Sequence, residues 1–260
     1  MTYETLTLTL EGTIATITLN RPEKRNAIST QMIDDLRAAL GEIEASPAQV
    51  GIITGAGKAF CSGMDLDALQ ALAAQSEAQN LEDSRRMAGM FRAIWAFPKA
   101  LIAAVNGPAV AGGTGIATLC DFTLAAPEAK FGYAEVRIGF IPALVSVFLV
   151  RQIGEKQARD LLLTGRVIDA QEALRLGLVN EVVMPAKLMP RAQELAAALA
   201  ANSPASIRRT KELLRDSAAA QVDRDLDRAI AENVKIRSTP DFREGLASFL
   251  EKRRPNWTVG

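Results

Sequence analysis

Residues 103–122, AAVNGPAVAGGTGIATLCDF, restrict the possible folds more than any other stretch of this chain. The apolar run Leu101–Val105 reads as a buried strand. Asn106, Gly107 and Pro108 turn the chain. Ala111, Gly112, Gly113, Thr114 and Gly115 then open an apolar, helix-like run toward Leu119. A helix start leaves N–H groups without partners and carries the positive end of the dipole. Glycines let another group approach that backbone closely. Such a turn holds a phosphate, holds an oxyanion formed during a reaction, or serves only close packing.

A second unit of the same kind lies upstream. Val50–Ile53 is β-like, residues 54–58 (TGAGK) turn, and AFCSGMDL at 59–66 leads into a helical segment that Asp65 is suited to cap. Two strand–turn–helix units can aim two backbone N–H groups at one oxygen. A third feature is Glu135. From Phe131 to Val150 the charged residues are Glu135 and Arg137 alone. A carboxylate in so apolar a stretch is costly to bury, and burial raises its pKa toward neutrality, which suits acid/base work. A surface loop or a structural ion pair with Arg137 accounts for the same residues.

Composition narrows the chemistry. Histidine is absent, which removes Ser-His-Asp and Cys-His mechanisms and any His metal site. The two cysteines, Cys61 and Cys120, lack metal-like spacing, so no metal is expected, and without a histidine to activate it Cys61 reads as inert. Thirty basic and thirty acidic residues cancel, so neither nucleic acid nor an anionic membrane is an expected partner. The apolar run Ile138–Val150 is too short to span a bilayer. The N-terminus opens on strand-like alternation without a signal peptide, so a cytoplasmic location is expected. No dinucleotide fingerprint appears, so NAD and FAD are not expected.

Thr5–Leu10 alternates, residues 11 and 12 turn, and Thr13–Leu19 completes a hairpin. Ile33, Leu36, Leu40 and Ile43 share a helix face after Ser29 or Thr30. Phe122–Ala125 is a further strand. Strands separated by helices favour an α/β fold with right-handed crossovers. After residues 180–185 the character changes: 186–201, 203–217, 222–234 and 240–252 read as amphipathic helices. The expected division is a core at 1–184 and a helical region at 185–260.

These pieces, in this order, resemble the enoyl-CoA hydratase/isomerase (crotonase) superfamily. The likeness is carried by LNRPEKRNAIS at 19–29, AFCSGMDL, VNGPAVAGGTG, LCDFTLAAPEAKFGYAEVRIGFIP at 119–142 and FREGLASFLEKRRPNW at 242–257. The resemblance implies a crotonase-like spiral of ββα units with a C-terminal helical trimerisation region. It implies an acyl-CoA substrate, no cofactor beyond that coenzyme A, and a homotrimer or a hexamer of two stacked trimers. It places an oxyanion hole at the amides of Met64 and Gly112, around the thioester oxygen. Two-glutamate hydratases carry their carboxylates at the positions matching Gly115 and Glu135, and only Glu135 is present here. Glu77, Glu82 or Asp83 is the expected source of any second acid, from a polar cover at 71–92, with Tyr133 and Arg137 as candidates to orient substrate. For binding the acyl-CoA substrate the candidates are Lys24, Arg25, Lys58, Ala59, Asp65, Leu66, Gly115, Phe249 and Lys252. In this family the last helix often reaches a neighbour's coenzyme A site. The run EVRIGFIPALVS, together with Gly115, looks like single-glutamate hydratases of the 3-methylglutaconyl-CoA type. A Δ3,Δ2-enoyl-CoA isomerase and a non-catalytic acyl-CoA binding protein are the alternatives.

Overall fold

The computed structural model describes residues 2–72 and 74–257, with Leu66 by its backbone alone. Strands β1 (Leu6–Glu11) and β2 (Ile14–Leu19) form the expected hairpin around Gly12, whose φ of 60° suits glycine. β2 then runs parallel to β3 (Val50–Gly55), β3 to β4 (Ala100–Val105), and β4 to a strand at Phe122–Ala125. A short strand at Glu181–Val182 closes the six-stranded sheet. A smaller sheet pairs Ala109–Val110, Lys130–Gly132 and Val167–Asp169.

The central strands are covered on both faces. Leu101, Ala103 and Val105 point into the main core, while Ala100, Ile102 and Ala104 point into a second core. Such strands read as unbroken apolar runs because neither face meets water. The main core is filled by α1 (Thr30–Ala45), capped by the Ser29 hydroxyl, and by α3 (Glu77–Trp95), α4 (Gly112–Thr118) and α5 (Ala143–Thr164); α2 (Leu66–Leu72) lies between the first loop and α3. A short α6 (Ala170–Leu176) follows, and α7 (Pro185–Ala200) closes the second core through Leu188, Ala192 and Ala196.

Two expectations change. The two helices expected at 203–217 and 222–234 are one, α8 (Pro204–Ile236). The joining residues, Ala218, Ala219, Ala220 and Gln221, are good helix formers, and no Gly or Pro interrupts them. The cover expected at 71–92 is mostly the regular helix α3, closed by a Ser76–Gln79 capping box and packed on α1 and α8. The last helix, α9 (Pro240–Leu250), packs on the body of its own chain, where Phe242 and Leu246 meet Leu69, Leu72 and Phe140. Among the described residues no helix is long and apolar enough to cross a membrane.

Candidate active site

Two loops zip together at the C-terminal ends of β3 and β4. The Phe60 and Cys61 amides donate to Pro108 O (3.1 and 3.2 Å), and the Val110 amide donates to Cys61 O (3.0 Å). The fit tolerates only glycine at key points: a Cβ on Gly113 would lie 2.1 Å from Cys61 O, and one on Gly107 would lie 2.2 Å from Lys58 O. Two asparagines brace the first loop. Asn26, fully buried, donates to Ala56 O and Ala59 O (2.9 and 2.8 Å) and accepts from the Arg21 amide. Asn106 accepts from the Gly55 amide and donates to Gly57 O. Asn26 was not among the expected site residues. Its only signals are a loop position after a strand and a short polar side chain that tolerates φ of 55°.

The zipping leaves two amides free. The Ile28 amide donates to Gly63 O (2.7 Å) and the Asp65 amide to Ile28 O (2.9 Å), so the Met64 amide between them faces away from Ile28. Gly112 opens α4, where the first N–H groups have no helical acceptor. Among the described residues neither the Met64 nor the Gly112 amide meets a protein acceptor. Ala111, just before α4, has φ 51° and ψ −123°, a costly conformation for a residue with a Cβ. It is held there by its amide on Gly132 O (2.7 Å), while Thr114 Oγ1 donates to Ala109 O (2.8 Å).

Met64, Gly112 and Glu135 line one cavity of about 540 Å³. Glu135 starts a 3-10 turn, Glu135–Ile138, that α9 clamps: a Cβ on Gly245 would sit 2.2 Å from Ile138 O, and one on Gly139 would sit 2.2 Å from Asp241 O. The Glu135 Oε2 atom is buried with no hydrogen-bond partner among the described residues. Burial pushes the carboxyl from its ordinary 4.5 up to about 7, opposed only by a hydrogen bond to its own amide. The group therefore exists in both protonation states near neutrality and can take up or release a proton there. Apolar walls surround it, including Met87, Phe91, Phe140, Leu144 and Val145.

Gly115, expected to touch substrate, is buried and does not line the cavity. A Cβ there would meet Val145 Cγ1 at 2.8 Å and Phe91 Cε1 at 3.0 Å, so the space a second glutamate needs is filled by those side chains. The second-acid candidates are also elsewhere. Glu77 and Glu82 are exposed, and Asp83 is held by Arg237 at 2.8 Å; none lines the cavity. The face of α3 turned to the cavity presents Met87 and Phe91. Tyr133 is buried in the core, its hydroxyl bonded to Thr118, and Arg137 is exposed; neither lines the cavity.

The rim carries Lys24, Arg25, Asp65, Asp67 and Phe249. Lys24 pairs with Asp67 (3.2 Å), both exposed. Asp65 is buried, pairs with Arg21 at 2.8 Å, and accepts from the Asp67 amide, which caps α2 as expected. Phe249 reaches the rim of its own chain's cavity. Lys58, Ala59 and Lys252 lie outside the lining; Lys58 and Lys252 are exposed, and Ala59 is buried with its carbonyl bonded to Asn26. Leu66 contributes the first residue of α2, and its side chain is outside the described residues. Cys61 and Cys120 are free and buried; burial pushes the Cys61 thiol up to about 12 and the Cys120 thiol higher still. Both are therefore poor nucleophiles.

The sequence pattern of the enoyl-CoA hydratase/isomerase family matches residues 9–259. A Thermus thermophilus protein, provisionally named an enoyl-CoA hydratase, is 44% identical over 248 residues, covering 95% of this chain and 98% of that protein. The crotonyl-CoA hydratase of Syntrophomonas wolfei is 36% identical over 260 residues, covering 99% of each. The crystal structure of an enoyl-CoA hydratase/isomerase from Xanthobacter autotrophicus superposes with a TM-score of 0.89 at 31% identity, covering 97% of this chain and 98% of that one.

Proposed function

Because the chain belongs to the enoyl-CoA hydratase/isomerase family, we propose that it hydrates a 2-enoyl-CoA thioester, or runs the reverse dehydration, with Glu135 as its one proton-transferring side chain. One observation carries this reading: a buried carboxyl with one unpartnered oxygen shares a cavity with two backbone amides from separate loops that meet no acceptor among the described residues. The Glu135 carboxylate takes a proton from water as the water oxygen bonds to C3. The C2–C3 π electrons shift toward C1, and the thioester oxygen takes the negative charge between the Met64 and Gly112 amides. The Glu135 carboxyl then returns its proton to C2 and the carbonyl re-forms, so one water has been added. The amides act where charge develops, and each such donor typically contributes about 3 kcal/mol. A carboxyl with pKa about 7 suits both halves of this cycle.

Lys24 and Arg25 on the rim would meet nucleotide phosphates, with Phe249 against the pantetheine arm; of the backbone strip expected to face the adenine, Asp65 lines the cavity. Lys58 and Lys252 reach the coenzyme only if its nucleotide extends beyond the cavity. The EVRIGFIPALVS run favours 3-methylglutaconyl-CoA among substrates. Leu213 and Leu214, 75% and 72% exposed on α8, support assembly into a trimer or hexamer. Free buried thiols suit a reducing compartment such as the cytoplasm.

A second reading, Δ3,Δ2-enoyl-CoA isomerase, is favoured by the lone carboxyl, since shuttling one proton between two carbons needs no second acid. Absorbance of the conjugated thioester separates the two. Crotonyl-CoA and 3-methylglutaconyl-CoA bleach under a hydratase, whereas a 3-enoyl-CoA gains absorbance under an isomerase. Acyl-CoA binding with no change in any of the three would show a binding protein and defeat both.

A further inference from the structure

The cavity lining includes two polar side chains that the hydration chemistry does not use. Asn233 on α8 and Arg237, one turn later, lie on the same helix face and both line the cavity. Both are buried, 4% and 2% exposed, among the apolar residues Leu69, Met87, Ile138 and Phe140. On each, one polar atom has no hydrogen-bond partner: Asn233 Oδ1 and Arg237 Nε.

Three of the five N–H groups of Arg237 are committed. One terminal nitrogen donates to Asn80 O (3.2 Å) and Asn80 Oδ1 (2.9 Å), the other donates once, to Asp83 (2.8 Å), and the guanidinium stacks over the Phe140 ring at 5.7 Å. The side chain is therefore held in place while its Nε has no partner among the described residues. Leaving a buried donor or acceptor unpaired typically costs about 1–3 kcal/mol. A hydrocarbon chain filling the cavity leaves both atoms unpaired, whereas an oxygen at the chain's end does not. A hydroxyl answers both, accepting from Nε–H and donating to Asn233 Oδ1. A carboxylate answers Nε–H and also meets the Arg237 charge, which Asp83 already balances.

We infer that Arg237 and Asn233 form a polar end to the acyl pocket, selecting thioesters whose acyl chain carries an oxygen at its distal end over plain hydrocarbon chains. This rests on the proposed reading of the cavity as the acyl site. Discrimination of this kind is large, because a site built to hydrogen-bond a group rejects the analogue that lacks it.

Saturated acyl-CoAs test the inference without turnover. Calorimetric titration of the intact protein compares pentanoyl-CoA with its near-isostere 4-hydroxybutyryl-CoA and with glutaryl-CoA. The expected result is binding of at least one oxygenated thioester about tenfold or more tighter than pentanoyl-CoA, with the hydroxyl and carboxylate arms identifying which oxygen is read. Asn233→Leu, which removes an unpaired amide, is expected to abolish or invert that preference. Arg237→Met is expected to do the same where thermal unfolding shows a folded protein. Pentanoyl-CoA binding as tightly as both oxygenated thioesters, or a preference that survives in Asn233→Leu, would overturn the inference. Crotonyl-CoA hydration by the unaltered protein, followed in parallel, reports on the proposed activity separately. Preference without hydration defeats the activity and leaves the polar end standing, and hydration without preference does the reverse.

Discussion

Replacing Glu135 by glutamine is expected to cost activity and add stability, and both effects should depend on pH. Burial moves the Glu135 carboxyl from 4.5 to about 7. At about 1.4 kcal/mol per pH unit, ionising it in the folded protein costs about 3 kcal/mol more than in the unfolded chain. The folded state holds the proton more tightly, so between about pH 4.5 and 7 it binds more protons than the unfolded state, and stability falls as pH rises through that window. Below the window the term is absent, and above it the full penalty applies. Glutamine cannot ionise, so Glu135→Gln should stabilise by about 1 kcal/mol at about pH 5 and about 3 kcal/mol at about pH 8.5, relative to its offset in acid. Urea unfolding of both proteins at fixed concentration across that range measures the difference. Hydration by the unaltered protein should climb with pH through about 7 and then level, because the base must be ionised to accept water's proton, while the glutamine variant should stay near background throughout. A stability difference that is the same at both pH values would show that Glu135 is not buried as described. Undiminished turnover by Glu135→Gln would remove it from the chemistry.

Other perturbations act on separate parts of the site. Gly112→Pro deletes the amide at the first helical position, where proline is tolerated, and an added Cβ meets the end of Ile28 at 3.0 Å and the Phe91 ring at 3.5 Å; kcat should fall about 10²–10³-fold with a near-normal far-ultraviolet spectrum, and turnover within about threefold of normal would count against the proposed donor. Gly115→Glu should lower stability by about 1–3 kcal/mol through the clash with Val145 and Phe91 without raising hydration, so a faster enzyme with unchanged thermal midpoint would contradict the packing described. The native thiols should resist iodoacetamide at about pH 8, since both are buried and hold their protons; mass spectrometry finding rapid labelling of Cys61 before unfolding would show that the first loop opens.

How far the site was legible depends on how local its determinants are. The hairpin, α1 with its Ser29 cap, β4 and the Gly112 helix start all follow from short-range rules, namely alternation, apolar spacing, caps and glycine turns. The same rules led to two loops able to aim N–H groups at one oxygen and to Glu135 as a carboxylate stranded among apolar neighbours, while the choice of the Met64 and Gly112 amides came from the family resemblance. They missed the continuity of α8 because polar residues around 218–225 weaken the apolar period, although helix propensity there is high. They placed Tyr133, Arg137, Glu77, Glu82 and Asp83 near the chemistry because sequence distance says nothing about which way a side chain points.

The amino-acid order alone determined the two glycine-bearing turns and a glutamate set among apolar neighbours, because each is specified within a dozen residues by backbone sterics and apolar patterning. Only the packed chain decided which amides the pairing of the two loops leaves free, that Phe91 and Val145 occupy the space beside Gly115, that α9 clamps the Glu135 turn, and that Asn233 and Arg237 arrive from about a hundred residues away to line the cavity. Those outcomes depend on which surfaces meet when the helices dock, and side-chain volume and the burial of charge are properties of that meeting.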